Sequence, residues 1–282
     1  MDVWIHWGIG LAGSLAVVSA AYAKRSLSVS GAAAAIVTGT LLFGWGSPAW
    51  FGSLIAFFLS SSLLSKWKKA ARGEAEGGYE KGGRRDAWQV AANGGLALLL
   101  CAANQLWPDP LWLAAFVGAL AAVNADTWAT EIGGLSKSKP RSLLTGASVP
   151  PGTSGGVTVL GLAASACGGL FIGAAAYALL QATPAASRLA ADAGVLADGL
   201  LPLLLAAFAG GMAGSLADSA IGAAWQRMNR CTVCGKEIER AEHCGKPAVR
   251  IRGLRWMGND AVNVLGSIAG SAVAVGVWVL LV

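Results

Sequence analysis

The chain alternates between long apolar runs and short polar stretches that hold most of its charge. A helix crossing the hydrocarbon core needs about 20 predominantly apolar residues. By that ruler the sequence predicts eight spans, over 2–22, 27–47, 49–65, 87–106, 111–134, 157–182, 195–225 and 259–282. Several are rich in Gly and Ala rather than Leu. Gly169 with Gly173, and Gly210 with Gly214, have the spacing that lets two backbones approach closely. Backbone polar groups in lipid must be satisfied within their own segment, so the expected fold is an all-α, polytopic transmembrane helix bundle. It forms one integral membrane domain over 1–282, with a small cytoplasmic Cys/His loop over 226–257 between spans seven and eight.

Composition strengthens this picture. The 282 residues are 55% hydrophobic and 13% charged, where soluble domains average about 25% charged. Net charge is +6, which by itself could indicate a nucleic-acid partner, but such proteins spread positive charge over a soluble face. Here it sits in loops. Lys24 and Arg25 follow span one, seven basic residues lie between spans three and four, Lys137, Lys139 and Arg141 follow span five, and eight follow span seven. Only Arg188 lies in an even-numbered loop, against the other 20 of 21 Lys and Arg residues. The positive-inside rule then places the odd-numbered loops in the cytoplasm and both termini outside, in a cell membrane. The first run lacks a basic leader and a small-residue cleavage site, so it is expected to be a span and not a cleavable signal. The bilayer is the expected partner, and nucleic acid is not.

Ionisable residues at membrane depth are expensive, and each is a functional hypothesis. Four acids qualify: Asp126 and Glu131 in span five, Asp218 in span seven and Asp260 at the start of span eight. All fall toward the same ends of their helices. They either form interhelical hydrogen bonds and neutralise loop arginines, or hold a divalent ion with phosphate; the second is preferred, because Mg²⁺ takes carboxylate and substrate oxygens. Asp126 and Glu131, five apart, are about 140° apart around an ideal helix. Asp126 therefore ranks above Glu131 as a metal ligand, with Asp218 and Asp260 beside it; Thr127 shares a face with Glu131.

Polar stripes accompany the acids. Ser215, Asp218 and Gly222 fall at i, i+3 and i+7, as do Asp86, Gln89 and Asn93, and Asn263 lies four residues beyond Asn259. Such stripes must face protein or water, and together they are expected to line one cavity. Between spans five and six, Lys137, Lys139 and Arg141 precede a small-residue stretch with Gly152, Thr153, Ser154, Gly155 and Gly156 that runs into span six. Backbone N–H groups at a helix start with nearby cations make an anion site; an ordinary capped turn is the alternative. No Gly-Lys-Ser/Thr closes this loop, so it is not a Walker A motif. Lys81, Arg84 and Arg85 read equally as a topology anchor or a clamp on a phosphate chain.

Cys101 and Cys167 lie inside spans as packing residues. Cys231, Cys234, His243 and Cys244 form a Cys₃His set in a reducing loop, suited to a structural Zn²⁺ with no open position. The adjacency of 243 and 244 is the awkward part.

The blocks Asn124-Ala-Asp126-Thr-Trp-Ala-Thr-Glu131-Ile-Gly, Pro150-Pro-Gly152-Thr-Ser-Gly155-Gly156-Val-Thr, Gly214-Ser-Leu-Ala-Asp218-Ser and Asn259-Asp260-Ala-Val-Asn263 resemble those of a multi-pass family. It contains the plant phytyl-phosphate kinase of vitamin E synthesis and uncharacterised bacterial and human transmembrane relatives. The 81–94 block and the Cys/His loop resemble its bacterial members, and the resemblance covers roughly 24 to 275. It implies phosphoryl transfer from a nucleoside triphosphate, CTP or ATP, to an isoprenoid (phytyl, geranylgeranyl or polyprenyl) monophosphate. On that reading Asp126, Asp218, Asp260 and Glu131 serve catalysis, and the phosphates meet Asn124, Thr127, Ser215, Asn259 and Asn263 with the basic and Gly-rich residues above. Two other readings are a CTP-dependent lipid nucleotidyltransferase, separable by pyrophosphate release, and a lipid-phosphate transporter without catalysis. Transporter sites lie near the midplane between inverted repeats, whereas these polar groups bias to one face.

Overall fold

The computed structural model describes residues 3–72 and 84–282. Its long helices are α1 (Val3–Ala23), α2 (Val29–Trp45), α3 (Pro48–Arg72), α4 (Ala87–Leu106), α5 (Pro110–Gly133), α6 (Val159–Ala182), α8 (Leu200–Trp225) and α9 (Asn259–Leu281), with a short α7 (Ala190–Asp198) before α8. Among the described residues six are long and apolar enough to cross a bilayer: α1, α3 through Lys68, α5, α6, α8 and α9. The apolar α2 has only 17 residues. The protein is a helical, multi-pass membrane bundle.

Local chemistry sets the helix starts. Ser28 accepts from the Gly31 N–H at 3.1 Å to open α2. Asp109 accepts from Leu111 at 2.8 Å, with Pro110 at the first position of α5, where a missing N–H costs nothing. The expected seventh span, 195–225, is instead two helices. Gly199, at φ +91°, breaks the chain between α7 and α8, a conformation open to glycine.

Helix α5 is the hub. It is buried continuously from Leu113 to Ala125, as a helix apolar on every side must be, and it packs against α3, α4, α6, α8 and α9. Small residues permit this. A Cβ on Gly214 of α8 would lie 2.2 Å from the Ala122 Cβ of α5, and one on Gly211 would lie 2.9 Å from the Gly169 Cα of α6. The small-residue spacings thus fall where backbones meet. Outward faces carry exposed Trp4, Leu63, Trp88, Leu99 and Leu280, the surface a lipid phase covers.

Two connections depart from an all-helical chain. The α5–α6 connection pairs β1 (Arg141–Ser142) with β2 (Gly156–Val157). The α8–α9 connection is a small antiparallel β module: β3 (Met228–Arg230) lies between β4 (Glu237–Ile238) and β7 (Val249–Arg252), beside a hairpin of β5 (Glu242–His243) and β6 (Lys246–Pro247). Strands are tolerated there because this backbone lies outside the spans.

Candidate functional site

Three helices converge on a pocket of about 10 Å³ lined by Asp126 and Thr127 of α5, Gly214 and Asp218 of α8, and Asn263, Gly266 and Ser267 of α9. That is room for about one water or ion. Its polar lining is almost entirely acceptor. The Thr127 hydroxyl donates to Val123 O at 2.8 Å, the Ser267 hydroxyl to Asn263 O at 2.8 Å, and the Asn263 amide to Asn93 Oδ1 at 3.1 Å. With the hydroxyl protons and one Asn263 N–H committed elsewhere, the pocket offers mainly two carboxylates and hydroxyl oxygens. Such a donor set fits a hard cation. Asp260 and Asn259 open α9 on the turn before Asn263.

Asn93 leads from this pocket to a second one. A cavity of about 70 Å³ between α1, α2, α3 and α4 is lined by apolar residues such as Val17, Leu27, Phe51 and Phe57, and at one end by Arg85, Gln89 and Asn93. The Arg85 guanidinium donates to the Ser62 hydroxyl at 3.0 Å and lies 5.2 Å from the Phe58 ring centroid. Its backbone bonds Ser26 and Ser28 across the start of α2. That approach needs Gly31, whose Cβ would sit 2.0 Å from Arg85 O.

Several expected site residues have other structural partners. Glu131 faces α3, accepting from the Ser65 hydroxyl at 2.6 Å and pairing with Lys68 at 3.6 Å. Asn124 is fully buried, accepting from Ser60 at 2.9 Å and donating to Gly168 O at 2.8 Å. Ser215 meets Ser165 at 2.9 Å on α6. Asp86 and Gln89 form the capping box of α4, each bonding the other's backbone N–H. Arg84 lies over the Tyr22 ring, and Lys137, Lys139 and Arg141 are exposed. Lys81 lies outside the described residues.

The Gly-rich loop docks on the end of α8. Gly155, at φ +80°, leaves no space for a Cβ, which would meet Ala223 Cβ at 2.3 Å. The Ser154 hydroxyl donates to Gln226 Oε1. Thr153 N–H and Gly156 N–H are spent inside the loop on Pro150 O and Thr153 O, and Thr158 caps α6 by accepting from Gly161. One N–H of the α6 start is therefore satisfied by its own cap. Gly152, at φ +83°, forms the loop's other left-handed turn.

Other important groups gave weaker sequence signals. Asp192 of α7 is fully buried, accepting from the Trp50 indole at 2.9 Å and the Leu189 N–H at 3.0 Å. It fell ahead of the expected start of span seven. Glu239, just after β4, lies within electrostatic reach of both Asp126 and Asp218. Cys231, Cys234, His243 and Cys244 bring four ligand atoms within 4.8 Å of one another, the one such group among the described residues. The N–H groups of Cys234 and Val233, with the His243 ring, pull the Cys231 thiol down to about 6. Desolvation and the neighbouring sulfurs push Cys244 up to about 11.

The model of the family described as integral membrane protein DUF92 matches residues 12–271. The chain belongs to the DUF92 family. All four signature blocks, at 124–133, 150–158, 214–219 and 259–263, fall inside the matched stretch, so the family expected from them is the family found. Protein PGR of Arabidopsis thaliana is 32% identical over 259 residues, covering 86% of this chain and 85% of that protein. An uncharacterised membrane protein of Methanocaldococcus jannaschii is 29% identical over 234 residues, covering 82% and 84%. Protein VTE6, chloroplastic, of Arabidopsis thaliana is 26% identical over 255 residues, covering 88% of this DUF92 chain and 64% of the relative. No solved structure matches.

Proposed function

We propose that this DUF92 protein is an isoprenoid monophosphate kinase, moving a phosphoryl group from CTP or another nucleoside triphosphate to a lipid phosphate. The observation that carries the reading is the link between two pockets: Arg85, Gln89 and Asn93 line an apolar cavity, and Asn93 bonds the Asn263 that lines the Asp126–Asp218 pocket. A molecule with a greasy tail and an anionic head suits that sequence of surfaces. At about 70 Å³ the cavity is well short of the roughly 300 Å³ of a small-ligand pocket. It would take the first carbons of the tail, leaving the rest among lipid.

An oxygen of the lipid phosphate attacks the γ-phosphorus; the new O–P bond forms as the bond to the bridging oxygen of the nucleotide breaks. Lipid diphosphate and nucleoside diphosphate leave. The attacking oxygen is already anionic, so no strong base is needed, and positioning with charge neutralisation supplies the catalysis. Arg85 would hold the acceptor phosphate, while Asn93 and Asn263 fix its distance from the acids. Asp126 and Asp218, with Asp260 at the start of α9, would hold Mg²⁺, which would supply positive charge to offset that of the nucleotide phosphates. Because the basic connections and the acids share one end of the bundle, the positive-inside rule puts this chemistry at the cytoplasmic surface.

The test is a labelled-nucleotide assay on purified protein with Mg²⁺, CTP or ATP, and a panel of phytyl, geranylgeranyl and longer isoprenoid phosphates. Lipid diphosphate with CDP or ADP is the expected result; pyrophosphate with a CDP-lipid would make it a nucleotidyltransferase. Asp126→Asn and Asp218→Asn should each lower kcat by about 100-fold or more. Full turnover in either variant would overturn the site.

A further inference from the structure

Four side chains in the α8–α9 connection converge as metal ligands do. Tetrahedral Zn²⁺ with Zn–S near 2.3 Å holds its sulfurs about 3.8 Å apart. The His243 Nδ1 lies 3.4 Å from Cys234 Sγ and 3.2 Å from Cys244 Sγ, and all four ligand atoms fall within 4.8 Å. Cys231 Sγ also accepts the N–H groups of Val233 and Cys234 at 3.4 and 3.5 Å, an arrangement that supports a thiolate. Cys244 stands at φ +53°, a strained conformation for a residue other than glycine. That strain answers the adjacency problem: the left-handed turn brings neighbouring residues 243 and 244 to one point.

The module is also tied to the membrane bundle. The Arg252 guanidinium donates to Ala223 O at 2.7 Å, and Leu254 N–H to Trp225 O at 2.9 Å, both at the end of α8. Asn229 in β3 donates to the carbonyls of Glu239 at 3.1 Å and Arg240 at 2.8 Å. The chain leaving the Cys231–Cys234 turn is thus clamped to β3.

We propose that Cys231, Cys234, His243 and Cys244 bind one structural Zn²⁺ that ties together the β module seated on the end of α8. The proposal stands on the ligand geometry, independently of the proposed kinase reading. With four protein ligands the zinc has no open position, so its role is architectural.

The test uses full-length protein purified in detergent from zinc-replete cells. Elemental analysis should find one zinc per chain, and cobalt substituted for it should give thiolate-to-cobalt charge-transfer bands; a zinc content near zero overturns the proposal even if no Cys variant folds.

Discussion

Asp126 and Asp218 meet across two helices in a pocket that offers almost nothing but acceptors. Without a cation their charges repel. Asp126→Asn should therefore keep or raise the melting temperature of the metal-free protein even as turnover falls, the trade expected where function holds like charges together. Glu131 should behave in the opposite way. It pairs with Lys68 where the two side chains are only 17% and 8% exposed, and removing one partner of a buried pair costs about 3 kcal/mol. Glu131→Gln should lower the melting temperature by several degrees in a detergent thermal shift, and no loss would contradict the pairing. An acid in an apolar run was visible in the sequence, which is why Asp126, Glu131 and Asp218 all stood out. The partner was not visible: Asn124, Ser215 and Glu131 have the same depth signature as Asp126, but their bonds go to neighbouring helices. Glu239 gave no signal because a carboxylate in a polar loop has no cost to explain.

At the scale of elements, helices were legible where apolar length alone defines them. The break at Gly199 was not, because a glycine in a Gly-rich membrane helix is as ordinary as one in a turn; only its φ of +91° separates the two. The strands of the Cys/His module escaped notice for a related reason: each is two to four residues long, too short for an alternating pattern. The junction of α2 with the start of α4 shows how a small element can control a site. Arg85 is held by backbone bonds to Ser26 and Ser28, and Gly31 makes room for them. Gly31→Ala would drive a Cβ into Arg85 O and force the turn away, an overpacking cost of about 1–3 kcal/mol. On the proposed chemistry, KM for the lipid phosphate should rise while KM for the nucleotide holds; equal changes in both would mean that Arg85 does not hold the acceptor.

For the whole molecule, charge asymmetry and site geometry are independent observations that select the same end. The basic residues flank the connections α3–α4, α5–α6 and α8–α9, while Asp126 and Asp218 lie toward those ends for reasons of packing and chemistry. Orientation is then a physical prediction with one free sign. If the rule for Lys and Arg sets it, the cysteines of the proposed zinc site face the cytoplasm, and the short turn around Ala186, between α6 and α7, faces outward. In intact bacterial cells an impermeant maleimide should leave the wild-type chain unlabelled and should label Ala186→Cys. In inside-out vesicles treated with a chelator, Cys234 and Cys244, both exposed, should label strongly. Labelling of the wild type in intact cells would invert the bundle and put the acidic pocket on the face where no nucleoside triphosphate is supplied. A cytoplasmic kinase could not work in that orientation, so this one measurement tests topology and the proposed chemistry together.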